Sequence, residues 1–100
     1  MKRFNDIIFS KTSIPKGVQA MLIFPDGHEL SVVQNEMSYG GTRGLYEIAV
    51  LKDREQVEMP GITEHGSTTA GYLSKDSVVA KVKQMVLVTG GDPIQFPHNG

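Results

Sequence analysis

The sequence contains no cysteine, no long apolar run and no excess of charge of either sign. Without cysteine, the chain can form neither disulfides nor thiolate metal sites, and this composition fits a reducing compartment. Its longest uninterrupted apolar run covers residues 20–24, whereas a membrane-spanning helix needs about 20 apolar residues. Asn5 and Asp6 follow Lys2 and Arg3 at the point where a secretion signal would have an apolar segment. We therefore expect no membrane association and a cytoplasmic location.

The charges are nearly balanced, with a formal net charge of −1 over 100 residues. A nucleic-acid-binding protein usually carries a basic excess that displaces counterions from phosphates, and a protein that imitates DNA would need an acidic excess. Neither class fits this chain, so we expect no nucleic-acid partner. Balanced charge favours protein partners or small ligands. The length is close to the commonest size of one domain.

Residues 18–34 predict a β-hairpin. The first strand alternates between apolar and mixed positions, and one of its faces carries Val18, Ala20, Leu22 and Phe24. Pro25-Asp26-Gly27 is a strong turn signal, because proline presets φ, aspartate can bond to the backbone and glycine accepts positive φ. Leu30 and Val32 resume the alternation after the turn. This pattern is typical of two antiparallel strands with one buried face.

The other segments give weaker patterns. We expect a strand over residues 45–51, with Tyr46, Ile48 and Val50 on one side, and a short polar edge strand over residues 56–59. Poor alternation makes residues 4–9 a marginal strand. Glycine, proline, serine and threonine predict loops over residues 11–17, 35–44 and 60–71, with a charged turn over residues 52–55.

Residues 74–89 predict one amphipathic helix. Ser74 occupies the N-cap position, and Gly90-Gly91 provides a natural stop. The apolar stripe consists of Val78, Val79, Val82, Met85 and Val86. Because β-branched residues lower helix propensity, a shorter helix followed by a strand over residues 85–89 is the alternative.

These elements predict an α+β fold: an antiparallel sheet of about four strands with the C-terminal helix packed on one face. Residues 1–91 would form one domain. Residues 92–100 contain two prolines, and we expect them to be a poorly ordered tail.

No motif indicates catalysis or metal binding. His28, His65 and His98 lie far apart in turn or loop segments, without the clustered spacing of a metal site. Glu64, His65 and Ser67 are adjacent in sequence, but the members of a catalytic triad usually come from different elements. We therefore expect no enzymatic activity, no metal and no cofactor.

The loop from Tyr39 to Gly44 is the most suggestive segment for binding. Its glycines allow close backbone approach to an anion, and Arg43 could supply a cationic fork. A phosphate-binding loop, however, is normally followed by a helix, and here a strand is expected. A plain flexible connection is the simplest interpretation. The other interpretation is protein recognition, for which Tyr39, Arg43 and Tyr46 are suitable anchor residue types.

Several phrases of the chain resemble small uncharacterised proteins of tailed bacteriophages. They are FNDIIF (residues 4–9), GVQA (17–20), FPDG (24–27), LSVV (30–33), GLYEIAVL (44–51) and GYL before the helix (71–73). The resemblance covers most of residues 4–86 and implies a phage accessory protein that acts in the host cytoplasm. Such proteins often inhibit host enzymes or defence systems. The resemblance carries over no catalytic residues, and it leaves residues 60–69 and the tail unexplained.

The leading hypothesis is therefore a non-enzymatic phage accessory protein that binds a host or phage protein. One alternative is a small-ligand or nucleotide binder that uses the loop of residues 39–44. Another is a self-associating structural subunit, such as a homodimer formed by strand addition at residues 56–59.

Overall fold

The computed structural model describes residues 3–96 and confirms the α+β class. An antiparallel sheet is followed by one C-terminal helix, and the described chain contains six strands rather than about four. The elements are β1 (Ser10–Ser13), β2 (Lys16–Ile23), β3 (Glu29–Asn35), β4 (Tyr46–Lys52), β5 (Glu55–Gln56), β6 (Thr69–Leu73) and α1 (Lys75–Thr89). Short 3-10 helices cover Phe4–Asp6 and Gly41–Arg43. Within residues 3–96, no helix combines the length and the apolar character that crossing a bilayer requires.

The predicted hairpin of residues 18–34 is confirmed as β2 and β3. Their register runs from Gly17 opposite Asn35 to Ile23 opposite Glu29. At the turn, Gly27 has a φ of 92°, which a residue with a Cβ rarely adopts. The turn is closed by the backbone N–H of Gly27, which donates to the carbonyl oxygen of Phe24 at 3.0 Å. Local turn chemistry therefore sets the register of this hairpin.

Strand β4 lies at the centre of the sheet connections and pairs with three strands. It runs antiparallel to β3, to the two-residue β5 and to β6. Asp53 and Arg54 both have positive φ, 52° and 68°, which is the geometry of a tight hairpin turn. The expected edge strand over residues 56–59 is wrong in extent, because pairing ends at Gln56. The Val57 N–H still donates to the Val50 carbonyl oxygen at 2.9 Å, and the side chains of Val57 and Met59 pack against the core.

Two further expectations are corrected near the ends of the sheet. Residues 4–9 do not form a strand: Phe4–Asp6 is a 3-10 helix, and Ile7 is buried in the core. Residues 11–17 are not simply a loop, because β1 pairs with the start of β2. β1 is polar and half exposed, so it lacks the apolar alternation that identifies a strand in a sequence.

The segment of residues 60–71 was expected to be a loop, but β6 begins within it. Ala70 lies opposite Ile48 in the β4 ladder, and Thr69 lies opposite Ala49. Ile62 is 1% exposed and adds a large side chain to the core. The sequence of β6, Thr-Ala-Gly-Tyr-Leu, shows no regular alternation of apolar and polar residues, so the free edge of β4 decides its structure.

The predicted helix is confirmed over its full length. The Ser74 side chain accepts a hydrogen bond from the backbone N–H of Ser77 at 3.1 Å, and Gly90 ends the helix with a φ of 96°. The alternative strand over residues 85–89 is excluded, because α1 continues through Thr89. The buried face consists of Val78, Val82, Met85 and Thr89, while Val79 and Val86 are half-buried.

The helix covers one face of the sheet and forms the core with it. The fully buried sheet residues are Leu22, Leu30, Val32, Ile48 and Val50. They are the alternating positions that the strand patterns predict. Each large apolar side chain that is fully buried contributes about 1.5–3 kcal/mol.

The described part of the expected tail is attached to the domain. Ile94 forms an antiparallel bridge with Ile23, and both backbone hydrogen bonds are present, at 3.0 and 2.8 Å. The Gln95 side chain accepts a hydrogen bond from the Ile8 N–H and donates one to the Ile8 carbonyl, both at 3.0 Å. Residues 92–96 thus extend the domain beyond the expected boundary at residue 91. Residues 97–100, including His98, lie outside the described residues.

Candidate functional site: a groove on the open face of the sheet

The second face of the sheet is left open, because the only α-helix in the described part of the chain packs against the other face. The strand register places side chains side by side on this open face: Gln19, Met21, Ser31, Val33, Glu47 and Ala49. Most of them are half-buried, in contrast to the fully buried positions beneath the helix. We call this surface the open face. It presents a mixture of small, apolar and acidic side chains to solvent.

Two adjoining cavities form a groove along the open face. The first has a volume of about 270 Å³, and its lining includes Ser31, Val33, Met37, Glu47 and Ala49. The second has a volume of about 310 Å³ and is lined by Tyr39, Glu64, Ser67, Thr69, Gly71 and Tyr72. Thr69 lines both cavities, so they lie next to each other on either side of this residue. We call the two cavities together the open-face groove.

Two exposed tyrosines stand at one end of this groove. The rings of Tyr39 and Tyr72 lie 6.2 Å apart between centroids, with 33° between their planes. Tyr39 is 61% exposed and Tyr72 is 57% exposed. The two residues come from different segments, the β3–β4 loop and β6. The pair therefore exists only because of the tertiary structure.

Hydrogen bonds hold both tyrosine backbones in place. The Tyr72 N–H donates to the Tyr39 carbonyl oxygen at 3.2 Å. The Tyr39 N–H donates to Oε1 of Glu47 at 3.0 Å. Glu47 lies where the β4–β6 register shifts, between Tyr46 and Ile48. Such irregularities redirect side chains and are common beside binding sites.

The backbone at the tyrosine pair is strained and depends on glycine. Tyr72 has a φ of 57°, which costs a residue with a Cβ about 1–2 kcal/mol. A Cβ at Gly71 would lie 2.6 Å from Cβ of Tyr39, and a Cβ at Gly40 would lie 3.1 Å from Cα of Tyr72. The two segments can approach this closely only because Gly40 and Gly71 lack side chains. The structure thus combines backbone strain with two exposed aromatic rings.

The three predicted partner-binding residues lie in different environments. Tyr39 lines the groove, and Arg43 is exposed at the end of the 3-10 helix but lines neither cavity. Tyr46 is 7% exposed, so its proposed role as a surface anchor needs correction. Its ring packs against Phe4 and Phe9 on the helix-covered side, with centroid distances of 5.0 and 5.8 Å. Burial there raises the pKa of the Tyr46 hydroxyl.

Three residues that no sequence pattern assigns to a site lie beside Tyr39 in the structure. Glu47 accepts its N–H, Glu64 lines the same cavity, and the ring of Tyr72 lies next to its ring. A weak signal was present, because each exposed tyrosine adjoins a glycine, in Tyr39-Gly40 and in Gly71-Tyr72. That signal names no partner for either ring. Nothing in the sequence singles out Glu47 or Glu64 as binding residues, since exposed glutamates occur throughout the chain.

The glycine loop after Tyr39 uses its own amides internally. The N–H groups of Gly41, Arg43, Gly44 and Leu45 donate to carbonyl oxygens of Ser38, Gly40 and Gly41 at 3.0–3.2 Å. An anion-binding loop instead directs successive N–H groups at its ligand. These four amides are not free to bind a phosphate.

His28 belongs to the turn between β2 and β3, and His65 lies between β5 and β6. The Nδ1 atom of His28 lies 2.8 Å from Oδ2 of Asp26, within the β2–β3 turn. His65 is exposed, and the neighbouring Ser67 Oγ lies 3.2 Å from Oγ1 of Thr69. Among the residues that the structure describes, no group of three or more His, Asp or Glu side chains could hold a metal ion.

Comparison with family models, with curated proteins and with solved structures gave no match to this chain.

Proposed function

We propose that this chain is a non-enzymatic protein-binding module whose contact surface is the open-face groove. The observation that carries the proposal is the Tyr39–Tyr72 pair. Both rings are more than half exposed, although the backbone beneath them is strained and needs two glycines. Because each ring is mostly exposed to solvent, it contributes little hydrophobic stabilisation to the isolated chain. Strained backbone beside exposed aromatic rings fits the tendency of strained residues to cluster at functional sites.

The chemistry of the groove suits a protein partner. Tyrosine is among the commonest anchor residues at interfaces, because its rigid ring adds large contact area and its hydroxyl can hydrogen-bond. The cavities beside the pair are shallow, and their lining mixes Val33, Met37 and Ala49 with polar groups. An apolar centre with polar surroundings is typical of protein interfaces.

We further propose that the protein is a phage accessory factor, and that the partner is a host or phage protein in the host cytoplasm. This proposal is supported by the six phrases that resemble small proteins of tailed bacteriophages. Inhibition of a host enzyme or of a defence system is the mode of action that the resemblance favours. The groove supplies a surface for such an interaction.

Quantitative affinity capture from a bacterial lysate tests the binding proposal. Three baits are compared: the wild-type protein, Tyr72→Ala and Leu87→Ala. Leu87 is the matched control, because it is 83% exposed on α1, which packs on the other side of the sheet. We expect a partner that is retained by the wild type and by Leu87→Ala but lost with Tyr72→Ala. The purified partner should then bind with micromolar or tighter affinity and show the same dependence.

The proposal fails if no captured protein depends on Tyr72 while all three baits are folded, as judged by circular dichroism. Photocrosslinking from position 72 and from position 87 provides an independent readout. Only the crosslinker at position 72 should attach to the partner.

A small-ligand or nucleotide binder that uses residues 39–44 is the alternative function. The exposed Arg43 supports it, whereas the internal hydrogen bonds of the loop amides count against it. Thermal-shift screening with nucleotides separates the two functions, because a ligand stabilises the native state by mass action. A shift that disappears in Arg43→Ala would favour the alternative.

A self-associating structural subunit is the remaining hypothesis. The two-residue β5 offers little edge for strand addition at the expected position. Light scattering of the purified protein measures the oligomeric state directly. A stable homodimer that Tyr72→Ala dissociates would assign the groove to self-association.

A further inference from the structure

The open-face groove carries negative charge and no positive charge. Among the described residues that line its two cavities, Glu47 and Glu64 are the only ionisable groups other than the tyrosines. A groove with one sign of charge favours a ligand group of the opposite sign. The whole chain is nearly neutral, so this local imbalance is a property of the groove rather than of the composition.

Neither carboxylate is neutralised within residues 3–96. Glu47 accepts the backbone N–H of Tyr39 through Oε1, and it forms no ion pair with a described residue. Glu64 is exposed, and its carboxylate has no hydrogen-bond or ion-pair partner in the described chain. Both groups therefore retain acceptor capacity that a partner could satisfy.

The tyrosine pair adds an independent preference for a cation. A cation within about 6 Å of an aromatic ring is attracted by the negative face of the ring. Tyr39 and Tyr72 line the same cavity as Glu64, and Glu47 is bonded to the backbone of Tyr39. The two rings and Glu64 thus border one cavity, and Glu47 lines the adjoining one. The protein uses the same interaction elsewhere, since Lys75 Nζ lies 5.4 Å from the centroid of the Phe4 ring.

The shape of the groove indicates an extended segment. It follows the open face across β3, β4 and β6, from Val33 through Ala49 to Tyr72. A folded partner can insert a loop or a strand along such a surface, with one side chain stacked on the exposed face of the tyrosine pair. Guanidinium fits that position better than ammonium, because its planar fork can stack on a ring and bond to a carboxylate at the same time.

We propose that the open-face groove recognises an arginine side chain presented by an extended segment of a partner protein, with Tyr39 and Tyr72 as the aromatic walls and Glu47 and Glu64 as the anionic acceptors. This inference rests on the proposed protein-binding function and specifies the chemistry of the partner.

The test uses peptides as probes of stated composition. Random twelve-residue peptides are displayed and selected on the immobilised protein, and clones that also bind Tyr72→Ala are removed. The selected peptides should be enriched in arginine. The tightest of them is then synthesised with arginine, with lysine and with citrulline, which keeps the shape of arginine but is uncharged.

Titration calorimetry of these three peptides measures the contribution of the charge. With the wild-type protein, we expect the citrulline peptide to bind about ten-fold more weakly than the arginine peptide, and the lysine peptide to lie between them. With Glu64→Gln, the ratio between arginine and citrulline should fall to about two-fold. Glu47→Gln should reduce it as well, while its amide oxygen still accepts the Tyr39 N–H.

Glu55→Gln is the matched control, because Glu55 is exposed and lines neither cavity. It should leave the ratio of the wild type unchanged. Melting temperatures of all variants show whether each remains folded.

The outcomes separate this inference from the proposed function. Peptides that need Tyr72 but bind equally with arginine and citrulline would overturn the inference and leave the binding function intact. An arginine preference that neither Glu47→Gln nor Glu64→Gln reduces would also overturn it. If no selected peptide depends on Tyr72, or if light scattering shows a homodimer that Tyr72→Ala dissociates, both proposals fail.

Discussion

The backbone N–H of Tyr72 donates to the carbonyl oxygen of Tyr39, and this one hydrogen bond joins the β3–β4 loop to strand β6. It places two exposed rings side by side at the end of a groove. The contact requires a left-handed backbone at Tyr72 and a residue without a side chain at position 71. The backbone at Tyr72 therefore lowers the stability of the protein while both rings stay exposed to solvent. Substitutions at position 72 can measure this cost in free energy.

Replacing Tyr72 with glycine or with alanine separates the strain from the ring. Both variants lose the contact between the rings of residues 39 and 72, but only glycine adopts a φ of 57° without steric cost. We expect Tyr72→Gly to be more stable than Tyr72→Ala by about 1 kcal/mol in urea unfolding. Both should lose binding in the capture experiment. Glycine loses more backbone entropy on folding than alanine, so a Tyr72→Gly variant that is less stable than Tyr72→Ala by about 0.5–1 kcal/mol would show that the backbone at position 72 carries no strain.

The helix packing predicts a large effect at Val82. This side chain is 1% exposed between α1 and the sheet, and aspartate there would bury an unpaired charge at a cost of several kcal/mol. Because total stability is about 5–15 kcal/mol for such domains, Val82→Asp should unfold the protein, as seen by circular dichroism.

Leu87→Asp is the control for this substitution on the same helix. Leu87 is 83% exposed, so the free energy of unfolding should change by no more than about 0.5 kcal/mol. A native melting temperature for Val82→Asp would show that α1 does not pack on the sheet in solution.

Because of Tyr46, we expect the free energy of unfolding to change with pH in the alkaline range. Burial raises the pKa of its hydroxyl in the folded state above that in the unfolded state. The folded protein therefore holds this proton more tightly, and the resulting stability is complete below about pH 10. It is lost as the pH rises through the folded pKa.

Tyr46→Phe removes this titration while keeping the ring between Phe4 and Phe9. Urea unfolding between about pH 9 and 11 should show a flatter pH dependence for the variant than for the wild type. Parallel curves would mean that the Tyr46 hydroxyl ionises equally well in both states.

Because of Asp26, we expect the free energy of unfolding to decrease as the pH falls in the acid range. Burial acts to raise the pKa of its carboxyl, but hydrogen bonds from the His28 backbone and ring, with the charges of His28 and Lys52, outweigh this and lower it. The unfolded chain then binds the proton more readily. The stability is present above the unfolded pKa, near 4, and is lost as the pH falls through the folded pKa.

Asp26→Asn should therefore flatten the loss of stability between about pH 5 and pH 2. The effect is expected to be small, because the carboxylate is exposed to screening by solvent. His28→Ala keeps the backbone N–H donor and should flatten only part of the curve. An acid limb identical in all three proteins would rule out the Asp26–His28 interaction as a source of stability.

The elements that the sequence predicted correctly carry strong local signals. Ser74 and Gly90 mark the ends of α1, and Pro25-Asp26-Gly27 marks the turn between β2 and β3. These residues act on their immediate neighbours through capping and positive φ, so no tertiary information is needed to recognise them. The same locality explains why the buried positions of β2, β3 and β4 follow from simple alternation.

The errors occur where pairing with a distant strand decides the structure. β1 is polar, and the sequence Thr-Ala-Gly-Tyr-Leu of β6 does not alternate regularly, so neither has a clear strand pattern of its own. Both become strands because edges of β2 and β4 offer unpaired backbone groups. In the segment of residues 4–9, burial of the apolar side chains beside Tyr46 takes precedence over strand pairing.

The residues of the candidate site likewise depend on contacts between distant segments rather than on local sequence. Residue type alone selected Tyr39, Arg43 and Tyr46 as surface anchors, but the structure buries Tyr46 and pairs Tyr39 with Tyr72 instead. By itself, the sequence determined the helix, the central hairpin and the apolar face between them, because turns, caps and periodicity act over a few residues. Only the tertiary structure decided which face stayed open and which rings and carboxylates line it, since these contacts join segments that are distant in the chain.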